Sequence, residues 1–353
     1  MARDSYPLTV SEIRRETADT VSIAFDVPVE LRDSFRFTPG QFLTFRVPDA
    51  DGRTVKRSYS ICSCPDSELR IAVKRLAGGL FGERAHTTMQ VGDQIDTLAP
   101  LGRFTVDLNP DAERSYLFLA AGSGIAPVMS LLRAILGGEP NSRVTLVYGN
   151  RTHRDTIFFE ALNDLKDRYL SRFQLVHVFS REHQVADVLN GRITPEKVCE
   201  LGKDLLDVAS FDEVFICGPE PMTLDLRAAL IGLGLDEHHV HVELYGSHAP
   251  KPVVVMTDAG GAVQIDVTLA AVTRSITGRR SDSILDAATE AGLDVPFSCT
   301  GGVCATCRAQ LRSGRVEMAA NYALEQWELD AGFVLTCQAR PTTDAVSVDY
   351  DAV

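Results

Sequence analysis

Nothing in these 353 residues runs apolar for the roughly 18–20 positions a helix needs to cross a bilayer. The opening Met1-Ala2-Arg3-Asp4-Ser5-Tyr6 lacks the apolar core of a secretory signal, so a cytoplasmic chain is expected. Positive charge is scarce: 35 Lys and Arg against 48 Asp and Glu give a formal net charge of −13. That balance argues against nucleic acid or an anionic membrane as partner. It reads first as solubility and second as an acidic face that steers a basic protein. Internal repeats and low-complexity tracts are absent, which excludes solenoids and disordered arrays. No Ser-His-Asp set and no paired carboxylates stand out as a hydrolytic centre. The eight cysteines, without a signal peptide, do not read as a disulfide framework. Four of them, Cys62, Cys64, Cys199 and Cys217, lie inside apolar runs and are expected as buried small hydrophobes. Cys62 and Cys64 would share one face of a strand, but a pair without two further ligands makes a poor metal site.

What is present points to several domains. The length suggests two or three cores, and 45% hydrophobic with 24% charged residues fits a soluble globular protein. Up to about residue 108, short β-rich runs (20–25, 41–47 and 69–74) alternate with turn signals such as Pro39-Gly40 and Asp51-Gly52. Many short strands at that spacing suggest an antiparallel barrel. From Ser115 the rhythm changes to near-continuous apolar runs (116–120, 144–148, 175–179 and 214–217) alternating with helical stretches such as 129–136. This is the pattern of a doubly wound parallel sheet. A Pro/Gly-containing stretch, 246–252, reads as a linker. The expected boundaries are therefore 1–108, 109–245 and 253–353 around that linker.

The last region carries the most specific signal. Cys299-Thr300-Gly301-Gly302-Val303-Cys304-Ala305-Thr306-Cys307 gives C-x4-C-x2-C, and Cys337 follows. This matches the plant-type two-iron, two-sulfur spacing. Three thiolates from one tight segment wrap the cluster, while glycines let backbone N–H groups approach the sulfurs. A zinc site is the alternative, but it usually shows two separated C-x2-C pairs. The stretch from Val253 to Val353 resembles plant-type ferredoxins. The resemblance implies a β-grasp fold with a helix before the cluster loop, where Ser283 to Ala291 sits, and Cys299, Cys304, Cys307 and Cys337 as the iron ligands.

Two further constellations fit nucleotide cofactors. Arg57-Ser58-Tyr59-Ser60 offers an arginine for pyrophosphate, an aromatic ring for packing and a hydroxyl. It resembles the flavin motif R-x-Y-S of the ferredoxin–NADP reductase family, and Pro39-Gly40-Gln41-Phe42 precedes it as in that family. Gly78-Gly79-Leu80-Phe81-Gly82, after Val73 and Lys74, resembles the family's segment that meets the FAD phosphates, although the family usually has serine where Gly82 stands. After the run 116–120 comes Ala121-Gly122-Ser123-Gly124-Ile125-Ala126-Pro127, whose glycines permit close backbone approach ahead of a helix N-terminus. It resembles the family's G-[TS]-G-[IT]-x-P segment, with Pro127 where a Rossmann motif has its third glycine. Cys217-Gly218-Pro219 resembles the later C-G-P segment. Ser180-Arg181 resembles the pair that binds the 2′-phosphate, which implies NADPH over NADH, with NADH retained as the alternative. Glu243 and Tyr245 resemble the acidic–aromatic end beside the flavin. These likenesses imply catalytic roles for Tyr59, Ser60, Cys217 and Glu243.

The three modules explain one another, because a nicotinamide gives up a hydride, a cluster accepts one electron and a flavin handles both. In this order, the whole chain resembles the reductases of phenylacetyl-CoA epoxidases, for instance at 148–152, 215–219, 301–307 and 332–339. That resemblance implies FAD, a [2Fe–2S] cluster and NADPH as cofactors. It also implies a di-iron oxygenase partner in phenylacetate degradation. The reductase of a Rieske oxygenase, such as a steroid 9α-hydroxylase using NADH, is the first alternative. A redox carrier or sensor that does not turn over nucleotide is the second.

Overall fold

The computed structural model describes residues 5–49, 51–52, 54–65, 67–245 and 261–352. The chain divides into two compact units, Tyr6–Tyr245 and a C-terminal one that begins at Gly246. The expected linker 246–252 and the first residues of the ferredoxin-like region lie outside the described residues. Among the described residues, no helix is long and apolar enough to cross a membrane.

The first unit starts as a six-stranded antiparallel sheet. Its strands β1 (Ser5–Thr17), β2 (Thr20–Asp26), β3 (Phe42–Pro48), β4 (Thr54–Ser60), β5 (Leu69–Lys74) and β6 (Gln94–Leu101) lie in the order β4-β3-β6-β1-β2-β5. β4 and β5 end that order, and an antiparallel bridge between Ile61 and Ile71 joins them, so the sheet closes as a barrel. Closure removes the free edges an open sheet would expose. Its interior is filled by Ile23, Phe25, Leu43, Phe45 and Ile71, each side chain worth about 1.5–3 kcal/mol of apolar burial. Helix α1 (Leu80–Thr87) follows β5 and plugs Phe81 into this core.

The same unit continues with five parallel strands and four helices: β7 (Ser115–Ala121), α2 (Ile125–Gly138), β8 (Arg143–Asn150), α3 (Phe159–Arg168), β9 (Phe173–Phe179), α4 (Pro195–Asp204), β10 (Glu213–Gly218), α5 (Glu220–Gly232) and β11 (Val240–Leu244). The strand order is β11-β10-β7-β8-β9, parallel throughout. Successive residues of β7 face opposite sides. Tyr116, Phe118 and Ala120 pack with Val128, Leu132 and Ile135 of α2, whereas Leu117 and Leu119 pack with Leu201 of α4 and Leu226 of α5. Burial on both faces explains why the strands read as continuous apolar runs. The expected helix 129–136 starts earlier, at Ile125, and takes in both terminal glycines. Pro127 is tolerated because a first-turn residue needs no intrahelical N–H bond.

The C-terminal unit holds β12 (Ala262–Leu269), β13 (Val272–Arg279), α6 (Ile284–Glu290), β14 (Arg308–Ser313), β15 (Val316–Met318), α7 (Gln326–Asp330), β16 (Phe333–Leu335), β17 (Ala339–Pro341) and β18 (Ala345–Asp349). One sheet runs β13-β12-β18-β14-β16, mixed because β12 and β18 are parallel, and β15 pairs with β17. α6 begins where the Ser283 hydroxyl accepts the Asp286 N–H at 3.1 Å, and it packs Ile284, Leu285 and Ala288 into the sheet core. This is the β-grasp arrangement expected from the sequence.

Two cysteine expectations need correction. Cys199 is exposed, because α4 turns it to solvent while Val198 and Leu201 take the core side. Cys62 and Cys64 do not share a strand face: β4 has ended at Ser60, and of the two only Cys62 is buried.

Candidate functional site

β4 carries the flavin constellation in extended alternation. Tyr59 sits opposite Leu43 and Arg57 opposite Phe45, so Arg57 and Tyr59 share a face and Ser58 and Ser60 share the other. The Tyr59 ring lies 4.9 Å from Phe81 and 6.3 Å from Phe45, centroid to centroid, which fixes its plane. Burial pushes its hydroxyl up to about 12, with Arg57 opposing, so it stays neutral. The Phe81 side chain belongs to the core, stacked 5.0 Å from Phe45, so of this residue only the backbone N–H is left to face a ligand. Gly79, Leu80, Phe81 and Gly82 form the opening of α1, with Gly79 at the cap. First-turn N–H groups have no intrahelical acceptor, and this turn stands over the end of β5 at Val73 and Lys74. Arg57 is exposed, its guanidinium donating to Lys56 O at 2.8 Å. Lys74 Nζ pairs with Asp19 at 3.5 Å.

Ser60 Oγ donates to Glu243 Oε2 at 2.9 Å, joining the barrel to the end of β11. Ser60 Oγ also lies 3.3 Å from the Tyr245 hydroxyl, which donates to Ser123 O at 3.3 Å. Residues 60, 123, 243 and 245, far apart in sequence, thus form one hydrogen-bonded group. Cys217 is fully buried beside it. Burial, and then the Glu243 charge, push its thiol well above the ordinary value, so it remains a neutral S–H.

β7 and β10 are neighbours, and the turns leaving their C-terminal ends meet. A Cβ on Gly124 would stand 2.0 Å from Cys217 O, so only glycine lets the two turns touch. Gly122, Ser123 and Gly124 form a tight turn into Ile125, and the Tyr148 hydroxyl donates to Gly122 O at 2.9 Å. Gly218 ends β10 and Pro219 caps α5. Two helix N-termini therefore face the crevice where strand order reverses, the usual ligand position in open α/β sheets.

Ser180 and Arg181 follow β9 on the same edge. Ser180 N donates to Asn150 O at 3.0 Å, and Arg181 N donates to Arg151 O at 2.8 Å. Arg181 is exposed, with no ion pair among the described residues. Arg151, which the sequence reading gave no role, is tied to Asp19 at 2.9 Å and Asp155 at 2.6 Å. Burial raises the Asp19 carboxyl, but the Thr17 hydroxyl, Lys74 and Arg151 together hold it below the usual range.

In the C-terminal unit the four thiols stand as two pairs. Cys299 N donates to Cys304 Sγ at 3.4 Å, and Gly301 N and Val303 N donate to Cys299 Sγ at 3.4 and 3.5 Å. The Cys304 thiol, helped by those N–H groups, brings Cys299 down to about 6 against the effect of burial. The Cys307 thiol likewise lowers Cys337, while Cys304 and Cys307 are pushed well up by their partners and by burial. Two thiol pairs, each with one sulfur favoured as thiolate, suit two irons that each take two protein ligands. Among the described residues no three Cys, His, Asp or Glu gather as a single-ion site.

The loop holding these thiols is shaped for its purpose. Thr300 and Ala305 adopt left-handed φ of 54° and 52°, uncommon for residues with a Cβ. Gly302, at φ 81°, would carry a Cβ 3.1 Å from Ala320 O. Sequence reasoning missed the supports: Gln338 Nε2 donates to Thr300 O at 2.8 Å and approaches Cys337 Sγ at 3.6 Å, and Thr336 Oγ1 donates to Cys307 O at 2.9 Å. Their adjacency to Cys337, within the stretch 332–339 that carries the family likeness, is the sequence signal that points to them.

Three family models match along the chain: an oxidoreductase FAD-binding domain over residues 7–106, an oxidoreductase NAD-binding domain over 118–228, and a 2Fe-2S iron-sulfur cluster binding domain over 267–342. The chain therefore has sites for FAD, a nicotinamide nucleotide and a [2Fe–2S] cluster. It is 42% identical, over 98% of both chains, to a component of the 1,2-phenylacetyl-CoA epoxidase of Escherichia coli. It is 38% identical, covering 98% of this chain and 95% of the other, to the ferredoxin reductase component of 3-ketosteroid-9-alpha-monooxygenase from Mycobacterium tuberculosis. Among solved structures, phthalate dioxygenase reductase superposes with a TM-score of 0.55 over 98% of both chains at 21% identity, which supports the fold.

Proposed function

Because the chain belongs to the family of oxygenase reductases that join FAD-binding, NAD-binding and [2Fe–2S] domains, we propose that it is the NADPH-dependent reductase of a di-iron oxygenase acting on phenylacetyl-CoA. The observation that carries this reading is the 42% identity to the epoxidase component, sustained over 98% of both chains. FAD supplies the conversion between a two-electron hydride and single electrons, and the cluster handles one electron at a time.

The residues divide the work. Arg57 and the first-turn N–H groups of Leu80, Phe81 and Gly82 hold the FAD phosphates, Gly79 opens that turn with its own N–H given to Leu76 O at 2.9 Å, and Tyr59 sets the plane against which the flavin packs. Val73 and Lys74 line that site at the end of β5. The turns Gly122–Ile125 with Pro127 and Cys217–Pro219 receive the nicotinamide nucleotide between two helix N-termini. Ser180 and Arg181 take the 2′-phosphate, for which a free guanidinium fork is suited. Ser60 Oγ, held by Glu243 at 2.9 Å, gives the flavin site a proton relay that ends on a carboxylate. Tyr245 and the neutral Cys217 close that site without adding charge. Cys299, Cys304, Cys307 and Cys337 ligate the cluster. The other four cysteines, Cys62, Cys64, Cys199 and Cys217, are free thiols, which fits a reducing cytoplasm.

The test combines holoprotein and NADPH with the purified oxygenase of phenylacetyl-CoA epoxidase. Loss of phenylacetyl-CoA that depends on this chain is the expected result. Ferricyanide reduction without such turnover would overturn the partner assignment. The second reading, the reductase of a ketosteroid monooxygenase using NADH, rests on the 38% identity over nearly the full length and would then take its place.

A further inference from the structure

The cluster loop and Cys337 lie in stretches with a one-sided charge. Between Arg280 and Arg308 there is no Lys or Arg, but there are Asp282, Asp286, Glu290 and Asp294; between Arg315 and Arg340 the only charges are Glu317, Glu325, Glu328 and Asp330. Glu328 is buried against Arg308 at 2.9 Å, so the charge that remains exposed along 316–339 is wholly negative.

Along the second of these acidic stretches, two aromatic rings are open to solvent. Trp327, the only tryptophan of the chain, is 58% exposed and Tyr322 41%. Neither is on a loose loop. Tyr322 N donates to Gly302 O at 3.0 Å, directly fastening the segment to the cluster loop. The Asn321 side chain accepts Leu324 N at 2.8 Å, Glu325 and Glu328 form a capping box at the start of α7, and Trp327 Nε1 donates to Glu325 Oε2 at 2.7 Å. These hydrogen bonds order the segment, yet it leaves its largest ring in water. Rigid, exposed Trp and Tyr cost little entropy to immobilise and are the residue types that anchor protein interfaces.

We propose that Trp327 and Tyr322 form the docking patch for the electron acceptor, a protein whose electron-entry site is an apolar surface rimmed by Lys and Arg. The patch rests on the reductase reading and adds where the acceptor binds. The absence of any basic residue along 316–339 selects a basic partner and repels an acidic one.

The test uses FAD- and cluster-loaded protein with NADPH and cytochrome c, a basic one-electron acceptor, from low to high salt. Trp327→Ala is expected to raise the KM for cytochrome c about tenfold while kcat, ferricyanide reduction and the visible cluster spectrum stay unchanged. Asp330→Lys, on the exposed end of α7, is expected to raise KM severalfold and to flatten its salt dependence, and it decides the matter should Trp327→Ala lose the cluster spectrum. An unchanged KM overturns the proposal. So does a lower kcat at unchanged KM, which would put the patch against another part of this chain. Wild-type protein that fails to reduce ferricyanide with NADPH would instead overturn the reductase reading beneath it.

Discussion

The cluster loop and the flavin–nicotinamide crevice solve the same problem, holding a redox group, in opposite ways. Three of the four thiols proposed as cluster ligands come from nine consecutive residues, and left-handed backbone at Thr300 and Ala305 shapes that loop. The crevice is assembled from five separated segments (57–60, 79–82, 122–127, 217–219 and 243–245) that meet only because a closed barrel and a parallel sheet bring strand ends together. A contiguous site can be lost through one side chain. A distributed site is instead sensitive to backbone approach, and its chemistry can be trimmed one residue at a time.

The largest effect should separate the two regions outright. With Cys337 as the proposed fourth cluster ligand, Cys337→Ala is expected to lower cytochrome c reduction at least about a hundredfold while ferricyanide reduction stays within about twofold. Parallel assays with the two acceptors check this, and equal loss of both would mean the crevice depends on the cluster. Next comes a backbone test of the crevice. Gly124→Ala places a methyl against Cys217 O, and it should destabilise the Tyr6–Tyr245 unit by about 2–3 kcal/mol and abolish tight nucleotide binding, as read by thermal unfolding and nucleotide titration.

Acid should distinguish the regions as well. His177 is half-buried among Tyr148, Phe159 and Phe179, and burial, with Lys166 and His153 nearby, brings its pKa from 6.5 to about 4. Its native state resists protonation more than the unfolded state does. Its contribution is therefore present above pH 6.5 and lost as pH falls toward 4, on the order of 2 kcal/mol by pH 5. The region 261–352 contains no histidine, so it should show no such loss. Urea unfolding at pH 7 and pH 5, with His177→Phe as control, measures the difference; an unchanged gap in that variant would exonerate His177. The smallest effect is expected at the crevice rim. Arg181→Ala should raise the KM for NADPH about tenfold and leave NADH nearly unchanged, whereas equal shifts would remove the 2′-phosphate role.

The contrast also explains what could be read from the chain beforehand. That Cys299, Cys304, Cys307 and Cys337 come together was legible because cluster chemistry demands a fixed spacing, and the parallel strands because burial on both faces leaves continuous apolar runs. Glu243 and Ser60 were each legible by likeness, but their bond was not, since 183 residues separate them and only tertiary structure joins them. Gln338, Thr336 and Arg151 carry no periodic or spacing signal, because their work is to hold other residues in place. Phe81 was placed at the cofactor by likeness; its ring fills the barrel, and a likeness does not tell which atoms of a residue face a ligand. Cys199 misled because an apolar run on a helix has a solvent side.

The order of electron flow is tested most directly by anaerobic mixing of the holoprotein with NADPH, with flavin and cluster absorbance followed separately. Flavin absorbance is expected to change first and cluster absorbance second, and Cys337→Ala to keep the first phase and lose the second. Cluster reduction that precedes the flavin change, or a Cys337→Ala protein whose flavin no longer responds to NADPH, would contradict that order.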